Sequence, residues 1–209
     1  MAAWNLPVDE LELDRRLVMG RGGLYRYMKK AWPEVEAQAF VEGWHLEEVC
    51  AHLEAVSRGE IDRLIINIPP GCTKSLSVSV FWPTWDWITR CDRKFMYASF
   101  DASLSQRDAL RAKDLVRSKW YQERWGLAAS PQGLERVGVR VPVAIVGEGG
   151  KQNTAGIYWT SGGGFRFSTS EGGKATGWHA HIQVIDDPTK PLDVQEGGNT
   201  AKKDRKSVV

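Results

Sequence analysis

The sequence has few cysteines, no long apolar run and almost no net charge. Three of its 209 residues are cysteines, Cys50, Cys72 and Cys91, and they form no CxxC pair and no metal-ligand spacing. Their odd number, together with the lack of a signal peptide, argues against a disulfide framework and favours reduced thiols in a cytosol. No apolar run approaches the roughly 18 residues that cross a membrane, so we expect no membrane partner.

The charges are nearly balanced, with 28 lysines and arginines against 26 acidic residues and a net charge of +2. A balance this close does not identify a nucleic-acid binder, so a DNA contact would have to come from a local patch. The most basic stretch is a predicted helix that begins near Ser103, and its basic residues are Arg107, Arg111, Lys113, Arg117, Lys119 and Arg124. A solvated helix face explains this stretch equally well.

The most informative stretch is residues 63–75, which read Arg-Leu-Ile-Ile-Asn-Ile-Pro-Pro-Gly-Cys-Thr-Lys-Ser. Residues 64–68 are apolar and rich in β-branched side chains, which predicts a buried central strand. A Pro-Pro-Gly segment stops that strand, and Lys74 and Ser75 lead into a predicted helix over residues 76–87. Strand, tight loop, Lys-Ser and helix is the layout of a phosphate-binding P-loop.

The loop supplies the kinds of group that bind phosphate. Backbone N–H groups in the loop and at the start of the helix point at phosphate oxygens. Lys74 reaches the β- and γ-phosphates, and the Ser75 hydroxyl takes one Mg²⁺ position. The match to G-x-x-x-x-G-K-[ST] is incomplete, because Ile68 and Thr73 stand at the two glycine positions. The alternative is a strand-to-helix turn whose lysine is only solvated. The predicted nucleotide-binding set is Pro70, Gly71, Cys72, Thr73, Lys74 and Ser75.

A second short apolar run, residues 182–185, ends in the acidic pair Asp186 and Asp187, followed by Pro188. A strand that delivers two carboxylates at its end is the Walker B arrangement. In that arrangement the first carboxylate, here Asp186, holds Mg²⁺ and the second polarises the attacking water as a general base. Ligands of open α/β sheets bind at the carboxyl ends of the strands, so Lys74 and Asp186 are expected to meet there. Taken alone, Asp-Asp-Pro also fits a turn that ends a strand.

Four segments in this order resemble a known family. They are residues 65–75, residues 97–100 (Tyr-Ala-Ser-Phe), residues 172–177 (Gly-Gly-Lys-Ala-Thr-Gly) and residues 184–188. Together they are similar to the large terminase subunit of tailed bacteriophages, the ATP-driven motor that packs DNA into an empty capsid. The resemblance covers roughly residues 40–190.

The resemblance implies a fold, a reaction and partners. The fold would be an α/β P-loop NTPase of the ASCE type, with a mostly parallel central sheet flanked by helices. The reaction would be hydrolysis of ATP with Mg²⁺, coupled to movement of double-stranded DNA. The partners would be the portal protein, the small terminase subunit and further copies of the chain in a ring, in the cytoplasm of an infected bacterial host.

The resemblance also implies how the chain is divided. Residues 1–39 would be an N-terminal helical or adaptor segment, and residues 40–209 would be the ATPase domain. Nothing in the sequence resembles the acidic cluster of the family's nuclease domain. Because the chain ends soon after the second motif, we expect an incomplete motor whose central sheet has an open edge. The family's trans-acting arginine lies just upstream of the Walker B strand, and Arg166 is the nearest arginine.

Two other functions remain open. A helicase-like P-loop ATPase would share Lys74, Ser75, Asp186 and Asp187, but it would need motifs in a second domain that this length excludes. A non-catalytic fragment would bind nucleotide, or only partner proteins, and hydrolyse nothing.

The remaining patterns predict secondary structure. Residues 40–57 predict a helix, and residues 94–100 predict a strand. Two runs around the glycine-rich residues 161–164 predict a β-hairpin. Trp44 and His45 could border an adenine ring, but a packing role is the favoured interpretation.

Overall fold

The computed structural model describes residues 10–147, 153–170 and 177–186. These residues form an α/β structure in which helices pack against a five-stranded sheet. The helices are α1 (Glu10–Met19), α2 (Gly23–Ala31), α3 (Trp44–Arg58), α4 (Lys74–Leu76), α5 (Trp82–Thr89), α6 (Ala102–Arg117), α7 (Lys119–Trp125) and α8 (Pro131–Arg136), with a 3₁₀ turn at Trp32–Glu34 and a π-helical turn at Ser77–Phe81. The strands are β1 (Lys94–Ser99), β2 (Ile145–Val146), β3 (Ile157–Thr160), β4 (Phe165–Ser170) and β5 (Ile182–Asp186).

The sheet is mixed, with the strand order β2-β3-β4-β1-β5. Strand β1 pairs in parallel with β4 on one side and with β5 on the other. Strands β3 and β4 form the predicted antiparallel hairpin, and β2 extends it. Two of the four strand pairings are parallel and the two made by β3 are antiparallel, so the expectation of a mostly parallel sheet is not confirmed for the described strands. The α/β class itself is confirmed.

Strand β1 lies between β4 and β5 in the sheet, and its alternate side chains enter the apolar core. Phe95 and Tyr97 are buried beside each other, with ring centroids 6.2 Å apart. Trp82 and Trp87 meet the edge of the Phe95 ring at centroid distances of 5.6 and 5.8 Å. Aromatic pairs of this geometry add to the free energy of burial, so this cluster fixes α5 against the centre of the sheet.

Residues 64–68, predicted as the central strand, belong to no strand of the described sheet. Leu64 and Ile66 pack against the core from the side, whereas Ile65 is 86% exposed. A buried central strand needs a neighbour on each side, and no described strand pairs with this segment. A cleft of about 400 Å³ separates it from β5, and the lining of the cleft includes Leu64, Ile66, Ile182 and Val184.

The cleft leaves one edge of the sheet open within the described part of the chain. Strand β5 pairs only with β1 there, and Ile185 on β5 is 68% exposed.

The N-terminal helices pack into the same core as the sheet. Tyr27 on α2 is fully buried, and its hydroxyl donates to Thr84 Oγ1 at 2.9 Å. The Glu54 carboxylate on α3 accepts the backbone N–H groups of Gly22 and Leu24 at 3.1 and 2.8 Å. Residues 10–31 are thus held by buried polar contacts to later elements. The proposed division at residue 39 stays a prediction.

A continuous helical stretch, residues 74–89, contains the π-helical turn and then Pro83. Proline has no N–H, so the carbonyl of Ser79, four residues earlier, loses the donor that an α-helix would supply. Arg166 on β4 takes that place, since its Nη1 donates to the Ser79 carbonyl oxygen. The guanidinium also lies 3.8 Å from the centre of the Tyr97 ring. Arg166 is fully buried. Its contacts with Ser79 and Tyr97 join the helical stretch to the sheet.

We predict that Arg166 and Pro83 are energetically coupled. Arg166→Met leaves the Ser79 carbonyl without a donor, which costs about 1–3 kcal/mol of unfolding free energy for a buried acceptor. In a Pro83→Ala background the new N–H can donate to that carbonyl, so the same substitution should cost about 1 kcal/mol less. Urea unfolding of the four proteins of the cycle measures this difference. Equal costs in the two backgrounds would contradict the assigned contact.

Candidate nucleotide-binding site

The loop at residues 69–73 forms an open concavity in front of α4. Its volume is about 320 Å³, and its lining consists of residues 68–76. The loop is closed on itself by the backbone N–H of Cys72, which donates to the Pro69 carbonyl at 3.4 Å. The helical stretch that begins at Lys74 places the positive end of its dipole at this concavity. A concavity walled by backbone and by the start of a helix suits an anion.

Two loop residues have the left-handed backbone conformation. Gly71 has a φ of 82°, and Thr73 has a φ of 62°, the only positive φ at a non-glycine residue in the described chain. A β-branched residue is a genuine outlier there, and such strain costs of the order of 1–3 kcal/mol. The backbone at position 73 thus has the conformation that glycine favours, at the position where the sequence departs from the P-loop pattern.

Lys74, Ser75 and Asp186 meet although the two parts of the chain lie 111 positions apart. The Lys74 ammonium lies 3.0 Å from Asp186 Oδ1, and the Ser75 hydroxyl donates to Asp186 Oδ2 at 2.9 Å. About a quarter of the Lys74 and Asp186 side chains is exposed. Asp186 pairs in register with Ser99, the last residue of β1, so the cluster lies at the carboxyl edge of the parallel strands.

The donors present suit a magnesium ion bound together with phosphate. Magnesium in such sites is held by one or two carboxylates, a hydroxyl, water and substrate phosphates. Asp186 and Ser75 supply one carboxylate and one hydroxyl whose oxygens already lie within hydrogen-bonding distance. The described residues contain no group of three or more histidine, cysteine or acidic side chains that would hold a metal alone.

The other predicted catalytic residues are placed differently. Asp187 lies outside the described residues. Arg166 occupies the second position of β4, opposite Phe95, and it is fully buried. A trans-acting arginine must reach a neighbouring subunit from the surface, and the contacts of Arg166 with Ser79 and Tyr97 instead hold it in the interior.

The exposure of Trp44 disagrees with the packing role that the sequence favoured for this residue. Trp44 begins α3, is 80% exposed and has its ring centroid 6.3 Å from that of His45. Packing therefore does not explain this residue.

Sequence analysis missed a group of polar residues at the same edge of the sheet. They are Ser99, the last residue of β1, and Ser105, Arg107 and Asp108 in the first turns of α6. The available signal was the helix cap at Asp101, whose carboxylate accepts the Ser103 N–H at 2.8 Å. That cap marks the end of a parallel strand and the start of a helix, the position where α/β proteins bind ligands.

Comparison with known proteins adds no relative. No family model, curated protein or solved structure matches the chain. Among the described residues, no helix is long and apolar enough to cross a membrane. The case for a function therefore depends on the contacts of the site itself.

We predict that Thr73→Gly stabilises the protein although glycine usually destabilises. The substitution relieves the left-handed strain of a β-branched residue, which outweighs the entropy that glycine adds to the unfolded chain. The expected gain is about 0.5–1 kcal/mol of unfolding free energy. Thr73→Ala is the matched control, because it keeps a Cβ and should gain less. A Thr73→Gly protein that is less stable than the Thr73→Ala protein would contradict the assigned backbone conformation.

Proposed function

We propose that this chain is the ATPase motor domain of a phage DNA-packaging terminase, which hydrolyses ATP with Mg²⁺ to drive viral DNA into a capsid. The observation that supports an ATPase is the meeting of Lys74 and Ser75 with Asp186 at the carboxyl edge of the sheet. The observation that supports a terminase is the ordered set of motifs in the sequence. The two arguments share Lys74, Ser75 and Asp186, and an ATPase outside this family satisfies the first alone.

Each residue of the site has a defined part in the proposed reaction. Lys74 leaves the Asp186 carboxylate and donates to the β- and γ-phosphates, where its charge counters that of the phosphates. Ser75 and Asp186 would hold Mg²⁺, which would neutralise charge on the phosphate oxygens. Asp187, the next residue after β5, accepts the proton of the attacking water. The loop N–H groups and the helix start bind the remaining phosphate oxygens.

The proposed partners are double-stranded DNA, the portal protein, the small terminase subunit and further copies of the chain. The basic side of α6 gives little support for a DNA contact. Arg111 pairs with Glu36 at 3.2 Å, and Lys113 is only 6% exposed. Because intramolecular contacts satisfy these charges, this part of the proposal depends on the motif resemblance.

Replacement of Lys74 tests the P-loop assignment. Lys74→Ala removes a charge-assisted contact to phosphate, worth about 2–3 kcal/mol, so ATP affinity should fall by about 30–100-fold. Titration of Mg·ATP by calorimetry measures this change. Lys119→Ala is the control, because Lys119 is 87% exposed and, within the described part of the chain, pairs only with its helix neighbour Glu123 at 3.7 Å. Wild-type affinity in the Lys74→Ala protein would remove the support for a nucleotide site.

Replacement of the two carboxylates separates their proposed roles. Asp187→Asn should retain binding of Mg·ATP and abolish hydrolysis, because it removes the base and keeps the shape. Asp186→Asn should instead weaken the dependence of ATP binding on Mg²⁺, since it removes the ion's carboxylate ligand. Nucleotide titrations at several Mg²⁺ concentrations and a phosphate-release assay measure both effects. Identical behaviour of the two variants would contradict this division. ATP binding without release of phosphate by the wild-type protein would favour the non-catalytic alternative.

A further inference from the structure

A second cleft adjoins the proposed nucleotide site. Its volume is about 200 Å³, and it lies between the helical stretch after the loop, the end of β1 and the first turns of α6. Ser75 and Asp186 line it, so the two sites share a wall. A nucleotide bound on the loop through Ser75 and Asp186 would have its outermost phosphate next to this cleft.

Arg107 lines this cleft, and the neighbouring Asp108 orients it. Arg107 Nε lies 3.0 Å from Asp108 Oδ1 and donates to it. The Asp108 side chain is 6% exposed and that of Arg107 is 55% exposed. The two Nη nitrogens of Arg107 have no partner among the described residues. A guanidinium has five N–H donors in a rigid fork, so donation through Nε leaves both Nη groups available for a ligand.

A buried hydroxyl in the same cleft also lacks a partner. Ser105 is 7% exposed, and its Oγ makes no hydrogen bond to any residue that the structure describes. Most buried polar side-chain atoms in proteins have a partner, so an exception requires an explanation. The cleft also faces the N-terminal end of the 16-residue helix α6, where the helix dipole favours negative charge. These groups together suit a ligand that accepts several hydrogen bonds and carries negative charge.

Two carboxylates in the lining do not exclude an anion. Each of them already has a cation beside it, Lys74 for Asp186 and Arg107 for Asp108. Their charges are therefore largely countered before a ligand binds.

We propose that Arg107 contacts the terminal phosphate of a bound nucleoside triphosphate, with Asp108 as its positioning residue. This inference rests on the proposed nucleotide-binding function and adds a residue of the same chain to that site. Since a diphosphate has no group that reaches the second cleft, Arg107 should set the preference for triphosphate over diphosphate. Lys74, which contacts phosphates common to both, should affect both ligands.

The test compares affinities for ADP and for a non-hydrolysable ATP analogue, both with Mg²⁺, by calorimetry on the full chain. Arg107→Ala should weaken binding of the triphosphate analogue by about 10–100-fold, the usual range for a lost charge-assisted hydrogen bond. Binding of ADP should change by less than about threefold, within the scatter of a surface substitution. Arg107→Lys should recover only part of the loss, because lysine cannot bind Asp108 and phosphate through one planar fork.

Arg111→Ala is the matched control for position on the helix. Arg111 lies one turn further along α6, pairs with Glu36 and does not line the cleft. It should leave both affinities unchanged. Asp108→Asn tests the positioning role and should lower the triphosphate preference by less than Arg107→Ala does. Unfolding midpoints of all variants distinguish a change in triphosphate preference from a loss of the fold. Misfolding would lower the affinities for ADP and for the triphosphate analogue alike.

Three outcomes would overturn the inference. An unchanged ratio of ADP to triphosphate dissociation constants in Arg107→Ala, alongside a loss in Lys74→Ala, would reject Arg107 and keep the proposed site. A loss of affinity for double-stranded DNA, again with an unchanged nucleotide ratio, would identify Arg107 as a DNA contact instead. No binding of either nucleotide by the wild-type protein would overturn the inference together with the proposed function.

Discussion

The Asp186 carboxylate, held by Lys74 and Ser75, is the contact that joins the two halves of the candidate site. It brings the end of β5 against the start of the helical stretch that follows the loop. No strand pairing among the described residues connects these two elements. Both charged side chains remain about a quarter exposed. An ion pair that keeps contact with water exchanges partners at low cost. A phosphate can therefore replace Asp186 as the partner of Lys74 without any unfolding of the structure around it.

The position of the loop depends on a more rigid support beneath it. Below Lys74, two polar contacts add to the aromatic cluster in fixing the helical stretch to the sheet. Arg166 donates to the Ser79 carbonyl that Pro83 leaves without a donor, and the Tyr97 hydroxyl donates to the Val78 carbonyl at 3.0 Å. Groups that bind a ligand need neighbours that lock their positions. Here the buried Arg166 and Tyr97 hold the helical stretch in position. Lys74 and Ser75, at the exposed end of this stretch, are the groups proposed to bind the ligand.

The sequence predicted that Lys74 and Asp186 would meet, but it also predicted a strand at residues 64–68 that the described sheet lacks. The meeting of Lys74 with Asp186 follows from a general rule, since strand ends and the loops after them share one edge of an α/β sheet. The strand expected at residues 64–68 does not follow from any such rule. An apolar, β-branched run has the composition of a strand, but a strand exists only where a neighbour satisfies its backbone. Whether a pairing strand lies beside this segment depends on the whole fold.

The same distinction explains Arg166 and Arg107. Proximity to the Walker B motif suggested Arg166, yet its Ser79 partner lies 87 positions away and owes its free carbonyl to Pro83. Arg107 shares the basic face of a helix, and periodicity does not show that the start of this helix lies beside Ser75 and Asp186. Contacts between distant segments decide both cases, and local patterns carry little information about them.

Asp186 ends a strand that has a single described partner, β1. An edge strand is the part of a sheet that separates most easily from its neighbour, and here it carries the carboxylate on which the proposed metal site depends. Lys74 and Ser75 therefore hold the end of β5 in place as well as contributing to the candidate site. In the proposed nucleotide complex a phosphate would bind Lys74, and Ser75 and the metal ion would then hold Asp186. The proposed nucleotide site would therefore be coupled to the position of β5 through this one carboxylate.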